Sequence, residues 1–249
     1  MCVAALAWFA HPRWRLVAIG NRDELHARPA APLARRDDDS GIIAGRDLVG
    51  GGAWLGVSET ARFTLVTNRR GFGDPDPTRR SRGELVSALL TGNDPPAPIE
   101  AYNAFNLLAA SGDRLEYLTN RPDALRTPLG HGIYGLSNGA LDEPWPKTLA
   151  LKSALSDWLG AGVDDPVPLL AILASEDRPA LGLLSGERSD IATEPSDTPP
   201  FIRRAIYGTR CSSVVTVAAD GTGRITERRF DAGGTATGDT ALDFRWPAA

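Results

Sequence analysis

The sequence predicts an α+β protein built of sheet layers with helical cover. Three observations carry this. Strand-like runs gather toward both ends of the chain, and helix-like spacing is confined to its middle. The first apolar runs also fail to alternate with polar residues, which is how strands covered on both faces read.

The elements follow in order. Val3 to Phe9 and Trp14 to Ile19 form a hairpin broken at His11-Pro12-Arg13. Arg35 to Ser40 reads as a charged surface loop, and Gly50-Gly51-Gly52 as a flexible loop before a strand over Trp54 to Val57. Phe63 to Thr67 is its hairpin partner. Ser81-Arg82-Gly83-Glu84 fits a capping box, so a helix runs from Arg82 to Leu90. Asp94 to Pro98 is a proline-rich turn. Strands follow over Phe105 to Ala109, Leu115 to Thr119 and Ile133 to Leu136, then helices over Pro146 to Leu159 and Val167 to Ala174. Gly186 to Pro200 reads as a long mobile loop. Cys211 to Ala218 and Arg224 to Phe230 make a last hairpin around Asp220-Gly221. The strands before Asp94 lack enough helix to cover them, so residues 1–249 are expected to form one domain.

Composition excludes several classes. A net charge of −4 gives no global positive field for nucleic acid or membrane. No apolar run approaches the ~20 residues needed to span a bilayer. The run from Val3 to Ala10 could pass for a short signal-peptide core, but it lacks a preceding basic residue and a small-residue cleavage site, so it reads as a strand of the mature protein. The two cysteines fit a reducing compartment. A cytoplasmic protein is expected.

There is no P-loop, no dinucleotide glycine motif, no nucleophile-elbow serine and no metal-ligand spacing among His11, His26 and His131. What remains is Cys2. Removal of Met1 is expected, because the next side chain is small. Cys2 would then carry both a thiol and an α-amine, with reference pKa values of about 8.5 and 7.7–8.0. One residue would supply a nucleophile and a base suited to neutral pH. If the first hairpin turns at Pro12, paired residues have numbers summing to about 24. Cys2 then lies opposite Arg22, with Asn21 and Asp23 beside it. Arg22 favours the thiolate, and Asp23 can orient the amine.

Cys2, Asn21-Arg22-Asp23-Glu24 and Arg28-Pro29 together resemble the NRDE family, which includes the transport and Golgi organisation 2 proteins. Ala44-Gly45-Arg46-Asp47, Gly51-Gly52-Ala53-Trp54-Leu55-Gly56-Val57, Thr67-Asn68-Arg69, Ser81-Arg82-Gly83, Phe105-Asn106-Leu107-Leu108, Gly135-Leu136-Ser137-Asn138 and Tyr207-Gly208-Thr209-Arg210 match in the family's order. That family in turn resembles N-terminal nucleophile hydrolases. The resemblance implies a four-layer αββα sandwich. By analogy with the cysteine members, it implies a site of Cys2, Arg22, Asp23, Asn68, Asn138 and Arg210. Ala53 replaces an expected threonine. Cys211 replaces an expected serine and could pair with Cys2 by oxidation.

The activity so implied is hydrolysis of a non-peptide amide or thioester of a small molecule, with no cofactor. The alternative is a non-catalytic protein that binds or traffics haem or a lipid, in which Cys2 could ligate iron. Trp8, Trp14, Trp54 and Trp158 read as core. Arg79, Arg80 and Arg82 read as a solvated loop and helix start. Gly50 to Gly52 reads as a loop that lets backbone approach a ligand.

Overall fold

The computed structural model describes residues 2–38, 40–178, 182 and 198–247. Thirteen strands and three helices occur among them, together with a short turn of 3-10 helix over Ile99–Ala101. The strands are β1 Cys2–His11, β2 Trp14–Leu25, β3 Ala30–Arg35, β4 Ile42–Asp47, β5 Leu55–Ser58, β6 Arg62–Asn68, β7 Phe105–Ser111, β8 Arg114–Thr119, β9 Leu125–Leu129, β10 Gly132–Leu136, β11 Tyr207–Ala218, β12 Thr222–Phe230 and β13 Ala236–Arg245. The helices are α1 Arg82–Thr91, α2 Pro146–Gly160 and α3 Val167–Leu173. No helix among the described residues is long and apolar enough to cross a membrane.

The strands form two antiparallel sheets. One has the order β10-β1-β2-β11-β12-β13 and the other β3-β4-β5-β6-β7-β8-β9. The unalternating pattern of β1 now has its cause. Ala4, Leu6 and Trp8 pack with Phe63, Leu65 and Leu108 of the second sheet. Val3, Ala5 and Ala7 pack with Leu151 and Leu155 of α2 and Leu169 and Leu173 of α3. A third cluster joins Ile42, Val66 and Leu107 of the second sheet to Leu85, Val86 and Leu90 of α1. Both faces of the central strands are therefore removed from water, and burial of this apolar area is the main force assembling the sheets.

All three expected helices form, within a residue of their expected ends. The cap of α1 differs in detail. Ser81 Oγ accepts from the Gly83 N–H at 3.3 Å, but the Glu84 carboxylate pairs with Arg80 Nε at 2.8 Å, so the reciprocal half of the capping box is absent. Gly92, at φ 81°, closes the helix by donating to the carbonyls of Ala88 and Leu89.

Four strands have no counterpart in the sequence reading: β3, β4, β9 and β13. Three of them are sheet edges. In β3 only Leu33 is buried, and Pro32 sits where the register shifts. Pro128 sits in the exposed β9. Edge strands tolerate proline and polar residues, so their apolar signal is weak. The expected loop over Gly186 to Pro200 lies almost wholly outside the described residues.

Candidate functional site

The site starts from the register of β1 on β2. Cys2 pairs with Arg22, the pairing that a turn at Pro12 predicts. On the other side of β2, Arg22 pairs with Cys211 of β11. Two strand spacings, about 9.6 Å, therefore separate the Cα atoms of the two cysteines. That is too far for a disulfide without backbone movement, which corrects the expectation of redox pairing.

Arg22 points between the sheets, and its side chain is 5% exposed. Its guanidinium carbon lies 4.7 Å from the centre of the Trp54 ring. Its Nη2 donates to Asp47 Oδ2 at 3.0 Å, while its Nη1 is buried without a hydrogen-bond partner. Trp54 is thus a cation-stacking wall of the site rather than simple core. Asp47 is the residue that sequence reasoning passed over. Its Oδ2 also accepts from Arg28 Nε at 2.6 Å, and its Oδ1 accepts from the N–H groups of Val49 and Gly50. Burial pushes the Asp47 carboxyl up, but the Arg28 hydrogen bond, the Gly50 N–H and the nearby guanidinium charges outweigh it and hold the group below its ordinary range. The signal available in the sequence was indirect: an arginine buried between sheets needs a carboxylate.

Asp23 is buried, and its Oδ1 accepts from Thr209 Oγ1 at 2.6 Å. The Tyr207 hydroxyl donates to its main-chain oxygen. Ser137 Oγ donates to the Cys2 carbonyl at 2.8 Å, and Thr67 Oγ1 donates to the Ser137 carbonyl at 2.6 Å. This chain of bonds from β6 through Ser137 fixes the head of β1. Cys2 as a residue is half-buried. Burial raises its thiol pKa above the ordinary value, aided by the Asp23 carboxylate; the N-terminal ammonium opposes this most, followed by the Asp23 N–H and, least, Arg22.

Cys2, Arg22, Asp23 and Asn68 line one cavity of about 730 Å³, together with Asp47, Trp54 and Tyr207. That size suits a small-molecule site. Asn138 does not line it. It lines an adjoining cavity of about 220 Å³ that shares Asn68, and its Nδ2 donates to the Asn68 carbonyl at 2.9 Å. Arg210 lines neither. It sits at the bulge between Thr209 and Cys211, and its Nη1 donates to the His26 carbonyl at 2.8 Å. Of the six candidate residues, four share a cavity, one braces a cavity residue and one turns away.

The glycine loop has a packing role. A Cβ at Gly52 would fall 2.2 Å from the Gly83 carbonyl carbon, so only glycine lets this loop touch the start of α1. That contact brings Ser81 and Arg82 to the larger cavity. Arg79 and Arg82 line both cavities, so the reading of these arginines as merely solvated is corrected. Among the described residues, no group of three or more His, Cys, Asp or Glu could hold a metal ion.

The family described as Transport and Golgi organisation 2 matches residues 1–232. The chain belongs to that family. It is 31% identical to the Transport and Golgi organization protein 2 homolog of Bos taurus, with 92% of each chain covered. It is 30% identical to the Mus musculus homolog at the same coverage. Among solved structures, it resembles a mutant of the conjugated bile acid hydrolase from Clostridium perfringens. That match has a TM-score of 0.51 at 8% identity, covering 97% of this chain and 92% of the other. At that identity the likeness speaks to fold alone. The two chains share a fold of paired antiparallel sheets.

Proposed function

We propose that this protein is an N-terminal cysteine hydrolase that cleaves a non-peptide amide or thioester of a small molecule. The observation that carries the reading is the pairing of Cys2 with Arg22 at the wall of the large cavity, with Asp23 beside them. The three apolar clusters support the finer fold reading: α2 and α3 over the first sheet, the two sheets face to face, and α1 over the second, giving an αββα sandwich.

The chemistry follows from the electrostatics. Burial and Asp23 keep the Cys2 thiol protonated at rest, so a base is needed. After Met1 is removed, the α-amine of Cys2 is that base, and Asp23 stabilises the ammonium it becomes. Sulfur attacks the carbonyl carbon, and the oxygen takes negative charge. Asn68, in the same cavity, is the side-chain donor for that oxygen, and Asn138 is a positioning residue that holds the Asn68 backbone. The bond from the carbonyl carbon to nitrogen or sulfur then breaks, and the ammonium returns its proton to the leaving group. Water hydrolyses the Cys2 thioester, regenerating the thiol and releasing an acid. Arg22 stabilises thiolate character at each arrival and departure of the sulfur.

The test is turnover of a panel of acyl amides and thioesters by the protein with Met1 removed. Hydrolysis should fall at least a thousandfold in Cys2→Ala. The reading is overturned if Cys2→Ala retains activity, or if the protein binds haem tightly while no member of the panel turns over.

A further inference from the structure

Glycine weakens the interior of a strand, and it persists there where another group comes too close for a side chain. Gly45 lies inside β4, two residues before Asp47, and its backbone is not among the left-handed positions. Its reason is steric. A Cβ at this position would fall inside van der Waals reach of Trp54 Cη2 and 2.7 Å from Trp54 Cζ2. It would also fall 3.1 Å from Glu227 Oε2. The outer edge of the indole thus rests on bare backbone. Its other neighbours are fixed. Glu227 is 2% exposed, and its Oε1 accepts from the Leu33 N–H at 2.8 Å. The Arg22 guanidinium lies 4.7 Å from the ring centre, with its Nη2 tied to Asp47 Oδ2 at 3.0 Å. The side left open is the large cavity, which the half-buried Trp54 and Cys2 line together. A side chain at position 45 would therefore push the indole into that cavity.

We infer that Gly45 is a specificity-determining residue: it is the socket that seats the Trp54 indole, and by keeping the ring back it sets the size of acyl group that fits beside Cys2. Gly45 touches neither the sulfur nor the substrate and acts only through Trp54. The run Ala44-Gly45-Arg46-Asp47 then serves the site twice. Asp47 holds the Arg22 guanidinium, and Gly45 seats the ring stacked on it. The acyl part of this assignment rests on the hydrolase reading. The socket does not.

Acyl transfer from p-nitrophenyl acetate and p-nitrophenyl octanoate separates the two, measured on protein that begins at Cys2 with Cys2→Ala as background. In each transfer the thiol gives its proton to the α-amine, the bond from sulfur to the acyl carbon forms, and p-nitrophenolate leaves with the electron pair of the broken ester bond. Mass spectrometry places the acyl group. Gly45→Ala should lower octanoyl transfer about tenfold relative to acetyl transfer, the discrimination that lost room for a methylene or two gives in a pocket. Phenylalanine lacks the Cη2 and Cζ2 atoms of the indole, so Gly45→Ala combined with Trp54→Phe should regain the wild-type ratio. Melting temperatures should follow the same pattern: Gly45→Ala lowers that of wild type by overpacking, and lowers that of Trp54→Phe less. Gly160→Ala, whose added Cβ meets nothing within 4 Å, should leave the ratio as it is. The inference is overturned if a folded Gly45→Ala keeps the wild-type ratio, or, should that variant not fold, if the double variant does not fold as Trp54→Phe does. Absence of acylation at Cys2 in wild type ends the hydrolase reading and the acyl assignment with it, and the melting temperatures then decide the socket.

Discussion

Strand β2 carries a buried arginine near each end, and the two make an instructive pair. Arg15 and Arg22 have side chains only 3% and 5% exposed. Each lies over a tryptophan, Trp246 at 5.3 Å and Trp54 at 4.7 Å, and each reaches an aspartate contributed by the other sheet or its turns. The surroundings then diverge. Arg15 also donates to the Pro247 carbonyl, and its aspartate, Asp113, is 66% exposed. Asp47, beside Arg22, is 17% exposed, tied to Arg28 and held by backbone N–H groups. A thiol lies on each strand next to Arg22. The same device closes the sandwich at one end and forms a charged wall of a cavity at the other.

The largest effect that would break this comparison is at Asp47. Asp47→Asn leaves two guanidinium groups without their carboxylate, and removing one partner of a buried pair costs about 3–5 kcal/mol. Denaturant unfolding should show a loss of that order.

Glu227 sharpens the contrast, because it is a buried acid that senses Arg22 and contacts Cys211. Burial raises its pKa above the ordinary value of 4.5, against the pull of the Leu33 N–H, Cys211 and the arginines. In the folded state it therefore holds its proton more tightly than when unfolded. Its contribution to stability is full below pH 4.5 and is lost as pH rises through the folded value. Glu227→Gln should remove this slope, so the variant gains on wild type in urea melts as pH rises from 4 to 7. Constant spacing of the two midpoints would contradict the assignment. The smallest effect is at the other end of β2. Asp113→Asn should cost less than about 1 kcal/mol, because its exposed carboxylate is already solvated. Equal losses at Asp47 and Asp113 would erase the distinction between the two ends.

Much of this was legible in the chain. The strands around the site are those buried on both faces, and their apolar runs announce them. The register of Cys2 on Arg22 followed from the position of Pro12 alone. The edge strands β3, β9 and β13 were not legible, since half-exposed strands carry little apolar pattern. Nor were the roles of Asp47 and Ser137. Each acts through a partner far away in sequence, Arg22 in the first case and the Cys2 carbonyl in the second. The distinction between Asn68 and Asn138 likewise needed three dimensions, because Asn68 lines the larger cavity while the Asn138 side chain is spent on the Asn68 carbonyl.

The central claim is that Cys2, with Arg22 on the strand beside it, is the nucleophile. Its most direct test is the rate of covalent labelling by an acyl electrophile, mapped by mass spectrometry on protein that begins at Cys2. Wild type should acquire the label at Cys2 and leave the buried Cys211 untouched, and Arg22→Met should react at least tenfold more slowly while remaining folded. Labelling at an unchanged rate in Arg22→Met, or labelling of Cys211 in place of Cys2, would contradict it.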